Sequence, residues 1–218
     1  MEIIYFLLHL LKDPLTTLQD FLAHYDMLTY AILASIIFVE TGLIVMPLLP
    51  GDSLLFAVGL LASSTGKLDI QIIIPLLISA ALVGDNVNHF VGKHFSNFVK
   101  SREQILFFKR EYITQTEEFY EQHGGKAVIM ARFVPIIRTV APFVAGAGSM
   151  RYSRYITFCI IGATLWVTSI TLTGYFLGSN EWVKLNFEKI VLGIVFVSFM
   201  PLIWQFARVK LLKQSQSI

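Results

Sequence analysis

Four ionisable residues stand in stretches of this chain that are otherwise free of charge: Glu40 and Asp52 in one, Arg132 and Arg138 in the other. Carboxylates there can carry protons or act as counter-ions. Arginines suit phosphate, because the planar guanidinium donates two parallel hydrogen bonds and stays charged. Both stretches are broken by proline and glycine: Pro47, Pro50 and Gly51 beside the acids, and Pro135, Pro142, Gly146 and Gly148 around the arginines. A charge at the centre of a bilayer costs about 2.5 to 3.5 kcal/mol on insertion scales. Four unpaired ones would cost about 10 to 14 kcal/mol, comparable with the stability of a whole fold. Such groups persist where they pair, line a watery cavity or grip a charged ligand, and each option points towards transport across a membrane.

The membrane itself is read from composition. Of 218 residues, 55% are hydrophobic and only 15% charged, which is far from the balance of a water-soluble domain. The net charge of +2 is too small to suggest nucleic acid, and the basic residues gather at the edges of apolar segments, where a bilayer accounts for them. Met1 to Leu11 carries Glu2 in place of a basic region and has no small-residue cleavage pattern, so no removable signal peptide is expected. The single cysteine, Cys159, lies in an apolar span and reads as a packing residue.

These charges need elements to position them, and the chain reads as one all-α integral membrane domain over 1–218. Asp13-Pro14 marks a helix start, followed by Leu15, Leu18, Phe21, Leu22 and Tyr25 at helical spacing, so residues 1–26 form an interfacial or partly spanning helix. Met27 to Gly66 has only Glu40 and Asp52 charged and is too long for one helix across a hydrocarbon core about 30 Å thick. Two helical arms, a re-entrant hairpin over 27–62, are expected there. Residues 70–92 cross once, with Asp85, Asn88 and His89 at i, i+3, i+4 near the far end as cavity-lining candidates able to reach water.

Residues 93–126 are the one extended polar stretch, with six basic and five acidic residues, and read as a cytoplasmic loop and surface helix. Residues 127–150 form a second broken segment, and 156–177 and 190–207 are uncharged or nearly uncharged spans. Trp166, Trp182 and Trp204 read as packing or interface anchors. Thr157, Thr164, Thr168 and Thr171, with Gly162 and Gly174, suit close helix approach.

Orientation follows from the basic residues, which favour the cytoplasm near membrane ends. If 127–150 enters and returns on the cytoplasmic side, eleven Lys and Arg lie inside against four outside, Lys12, Lys67, Lys184 and Lys189. The first broken segment then enters from the outer face. The expected architecture is an inverted repeat: two opposed re-entrant hairpins plus transmembrane helices, with the two acids and the two arginines meeting near the midplane. Glu40 and Asp52 would serve as counter-ions and proton relay, Arg132 and Arg138 as ligands of a headgroup phosphate. Two buried salt bridges that only lock the hairpins together are the structural alternative. No phosphate-binding loop, zinc spacing or Gly-x-Ser-x-Gly elbow occurs, so no metal and no cofactor are expected.

Several motifs occur together in order: Phe38-Val39-Glu40-Thr41-Gly42-Leu43, Leu49-Pro50-Gly51-Asp52-Ser53-Leu54-Leu55, Val83-Gly84-Asp85, Ala131-Arg132-Phe133-Val134-Pro135 and Arg138-Thr139-Val140-Ala141-Pro142-Phe143-Val144-Ala145-Gly146. With Tyr120-Glu121-Gln122-His123-Gly124-Gly125-Lys126, they resemble the DedA family of bacterial inner-membrane proteins, whose domain is of the VTT or SNARE-associated type. The resemblance implies a non-enzymatic, multi-pass inner-membrane protein that moves lipid between leaflets, undecaprenyl phosphate or a phospholipid, in dependence on the proton motive force. Its motif acids fall on Glu40 and Asp52 and its arginines on Arg132 and Arg138. Membrane lipid and protons are the implied partners, and a homo-oligomer is compatible with the sequence. The competing readings are a proton-coupled transporter or antiporter of small ions or amphipathic drugs, a polyprenyl-diphosphate phosphatase, disfavoured because Leu54 and not Arg follows Ser53, and a structural scaffold.

Overall fold

A computed structural model of the chain describes residues 14–43, 51–94, 104–105, 108–109, 124–148, 150–186, 189–190 and 193. The helices are α1 (Pro14–His24), α2 (Asp26–Gly42), α3 (Gly51–Thr65), α4 (Ile70–His94), α5 (Lys126–Ala131), α6 (Pro135–Ala147), α7 (Tyr152–Leu177) and α8 (Glu181–Leu185). Between α4 and α5 the described residues form a two-residue antiparallel ladder, β1 (Gln104–Ile105) with β2 (Phe108–Lys109), within the stretch 93–126 expected as a loop and surface helix. Apart from Ile190 and Gly193, the predicted span 190–207 lies outside the described residues, as do Trp204 and the breaks at Pro47 and Pro50.

Two helices, α4 with 25 residues and α7 with 26, are long and apolar enough to cross a bilayer. At 1.5 Å per residue each runs to about 38 Å. The shorter apolar helices pack on them in a crossed pattern: α2 and α6 lie along α4, while α3 and α5 lie along α7. Particular contacts give the directions. Tyr30 OH accepts from the Asp69 backbone N–H just before α4, and the last residues of α2 reach Gly84, so α2 runs parallel to α4. Asp52 meets Trp166, Phe56 meets Gly174 and Leu60 meets Gly178, so α3 runs parallel to α7. The outer ends of α2 and α3 therefore share the end of the bundle where α4 begins and α7 finishes.

The second broken stretch repeats this from the opposite end. Gly125 lies against Phe158 and Ile129 against Gly162, so α5 runs inward along α7. Asn88 meets Thr139 and Gly92 meets Phe143, so α6 runs outward along α4. Gly124 supplies the turn before α5 with φ of +57°, a conformation that favours glycine.

Small residues set these spacings. A Cβ at Gly174 would strike the Phe56 backbone, and one at Gly59 would strike the Thr171 carbonyl, so the glycines let α3 and α7 touch backbone to backbone. The apolar core sits there, with Leu54, Leu55, Phe56, Leu60 and Leu61 of α3 buried against Trp166 and Val167 of α7. Gly162 and Gly174 thus do the close-approach work expected of them, while Thr157 and Thr164 are exposed and Thr171 is buried. Replacing Gly174 by Leu should destabilise the protein by about 1 to 3 kcal/mol through overpacking, read as a fall in thermal unfolding temperature in detergent, whereas Gly193→Leu, where a Cβ meets nothing, should not.

Candidate functional site

The arginines are placed by a short interruption between α5 and α6. α5 ends at Ala131, Arg132 keeps helical angles, Val134 is extended at φ −121° and ψ 108°, and the helix restarts at Pro135, whose fixed φ suits a first turn. The break turns the chain so that Arg132 faces α4 and α7, while Arg138, one turn into α6, faces α2 and α3. The single cluster of four charges expected from sequence is therefore two adjoining clusters.

In the first, Arg138 is held between two carboxylates. Its Nη1 donates to Asp52 Oδ1 at 2.8 Å and its Nη2 donates to Glu40 Oε1. Glu40 is 1% exposed and Arg138 7%. Trp166 completes the arrangement: its Nε1–H donates to the same Asp52 Oδ1 at 2.8 Å, and its ring lies 4.7 Å from the guanidinium carbon, within cation–π range. Asp52 occupies the first turn of α3, where the helix dipole favours an acid. Gly51 is required beside it, because a Cβ there would overlap the Glu40 carboxylate.

In the second, Arg132 Nη2 donates to Asp85 Oδ2, and both side chains are buried. Cys159 Sγ lies 3.2 Å from Arg132 Nη2 and 3.2 Å from Asp85 Oδ2, so the thiol joins the pair and does more than pack. Tyr155 OH donates to the Asp85 backbone carbonyl at 3.1 Å. Asp85 is thus buried and ion-paired, where the sequence placed it within reach of water. The reason is the pairing with Arg132 and the contacts of Tyr155 and Cys159 from α7. Gly162 makes room for the Arg132 side chain.

The two clusters meet at a small cleft lined by both arginines, Asp85, Pro142, Tyr155 and Cys159. Asn88 and His89 do not line it. Asn88 Nδ2 donates to the carbonyls of Thr139 at 2.9 Å and Thr41 at 3.3 Å, tying α6 and α2 to α4. His89 stacks on Tyr155 at 4.3 Å, and its carbonyl abuts Gly146. Among the described residues no group of His, Cys, Asp or Glu is arranged to hold a metal.

Trp166 and the Asp85–Arg132 pairing are what sequence reasoning missed. The signal for Trp166 was depth: it falls in the middle of its span, too far in for an interfacial anchor. Removing the Arg138 charge leaves buried Glu40 facing half-buried Asp52 with no cation between them, so Arg138→Gln should destabilise the protein by about 3 kcal/mol. Adding Glu40→Gln should restore part of that loss, measured by thermal unfolding in a double-mutant cycle.

Residues 49–176 match the family described as the VTT domain, a stretch that contains Asp52, Asp85, both arginines, Cys159 and Trp166. The chain is 46% identical over 202 residues to Protein DedA of Escherichia coli strain K12, covering 92% of each. It is 45% identical to an uncharacterized membrane protein of Mycobacterium leprae, over 76% of this chain and 74% of that one. It is 33% identical to inner membrane protein YqjA of Escherichia coli strain K12, over 78% of each. No solved structure matches the chain. With the motif charges assembled between short apolar helices that pack on two long ones, and these relatives alongside, the chain belongs to the DedA family of membrane proteins.

Proposed function

We propose that this protein is a lipid translocase of the bacterial inner membrane, moving a phosphate-bearing lipid such as undecaprenyl phosphate or a phospholipid between leaflets in a proton-linked cycle. The observation that carries the reading is the cleft lined by Arg132 and Arg138, each held by carboxylates that a phosphate can replace. A buried ion pair broken without replacement is strongly unfavourable, so the carboxylates leave only as a phosphate arrives or as they take up protons. The described cluster has three acids, Glu40, Asp52 and Asp85, and two arginines. With all five charged it carries a net charge of −1, which a single proton neutralises.

The helix directions support two re-entrant hairpins related as an inverted repeat. α2 with α3 opens towards one end of α4 and α7, and α5 with α6 towards the other, so Glu40 and Asp52 at the inner ends of α2 and α3 meet Arg138 of α6, in the layout with which such transporters bind substrate. In the proposed topology residues 93–126 and the C-terminus are cytoplasmic. The surplus acid also supports a second reading, a proton-coupled transporter of small ions or amphipathic drugs. Nothing in the site calls for bond cleavage, and we read the chain as a transporter and not an enzyme.

Reconstitution into vesicles carrying a labelled phosphate lipid separates the two readings: the translocase moves headgroups between leaflets, and proton-linked solute flux without headgroup movement would overturn it. Glu40→Gln should abolish the dependence on a proton gradient while leaving headgroup binding nearly intact. Arg138→Ala should weaken headgroup binding by about 10- to 100-fold, the equivalent of one or two charge-assisted hydrogen bonds. Equal binding by wild type and Arg138→Ala would count against the assignment.

A further inference from the structure

The two arginines are not held alike. Arg138 has both terminal nitrogens on carboxylates, from Glu40 and Asp52. Arg132 has one carboxylate partner among the described residues, Asp85, and its Nε and Nη1 are buried without a hydrogen bond. A guanidinium has five donors in a fixed fork, and a buried donor left unmade is unfavourable. Arg132 is 5% exposed, lies on the cleft, and is equipped for more acceptors than it has.

Space decides what can supply them. The enclosed part of the cleft is about 10 Å³, at most one water. A tetrahedral oxyanion and the Asp85 carboxylate cannot occupy that space together. The Cys159 thiol is a weaker partner that cannot take over the charge of Arg132.

We propose that Asp85 is the residue a phosphate oxyanion displaces, so that exchange at Arg132 is the entry step and Glu40 and Asp52 keep Arg138 until later. The ligand class is a phosphate monoester or diester, whether lipid headgroup or free phosphate. The inference rests on the arginines being phosphate ligands, and it adds a positioning residue that sets affinity by competing with the substrate.

Cys159, the one cysteine of the chain, is a native reporter, touching both partners of the pair. In the purified full chain in detergent, its modification by a small neutral methanethiosulfonate is followed by mass spectrometry. One titration uses inorganic phosphate, another micelles of phosphatidic acid, and chloride at equal ionic strength is the control. The expected result is protection of Cys159, with the half-protecting concentration about tenfold lower in Asp85→Asn, a shift equivalent to one weakened competing contact. Asp85→Glu, which keeps the charge and crowds the same space, should raise that concentration, and it carries the test if the Asn variant does not fold.

Protection by phosphatidic acid alone assigns the site to lipid headgroups, and protection by both probes assigns it to the oxyanion whatever its source. Absence of protection by either probe, or one half-protecting concentration in all variants, overturns the proposal. Protection without lipid movement in vesicles leaves the displacement standing and removes the translocase reading. Lipid movement without protection removes the displacement alone.

Discussion

The structure depends on Arg138 being held between Glu40 and Asp52 inside an apolar bundle. No local interaction brings these three together: α2, α3 and α6 each contribute one of them, and Trp166 of α7 contacts both Asp52 and Arg138. Burying the arginine by itself would be prohibitive, and burying the two acids together would be worse. Each charge is tolerable only where the others already are, so correct meeting of the two broken stretches is a condition of the fold. The Asp85–Arg132 pair repeats the constraint between α4 and the end of α5.

The crossed packing of the short helices follows from the same need. Had each broken stretch packed on a neighbouring long helix at its own end, its charges would have stayed apart. With α2 and α6 along α4, and α3 and α5 along α7, the inner ends of α2 and α3 meet the start of α6 inside the bundle. Glycines at the contacts, Gly59 and Gly174 between α3 and α7 and Gly92 and Gly146 between α4 and α6, bring the backbones close enough for short polar side chains to meet. The same layout makes a switch feasible. The carboxylate grip on the arginines is strong, but it is made of charges, which a proton can cancel and a phosphate can replace, whereas an apolar lock would offer neither route.

Much of this was legible in the sequence because the membrane enforces simple rules. Long uncharged runs announced α4 and α7, and the proline and glycine breaks announced two-armed segments whose charges had to be paired. Glu40, Asp52, Arg132 and Arg138 stood out because a charge in an apolar run is rare and expensive. Which acid meets which arginine was not legible. That depends on the turn at Arg132 to Val134, a local backbone event that sends two arginines six residues apart to different helices. Nor could spacing tell that Asp85 meets Arg132 and Cys159, that Asn88 braces α2 and α6, or that Trp166 binds a carboxylate, because these are contacts between segments far apart in the chain.

The central claim is that the ion pairs of the resting bundle are exchanged for a phosphate. The most direct measurement is an experimental density map of the protein in nanodiscs containing a phosphate-monoester lipid. The account predicts headgroup density within hydrogen-bonding reach of Arg132 and Arg138, with Asp85 drawn away from Arg132. Lipid confined to the outer surface, with the Arg138 and Arg132 pairs both intact at saturating lipid, would contradict it.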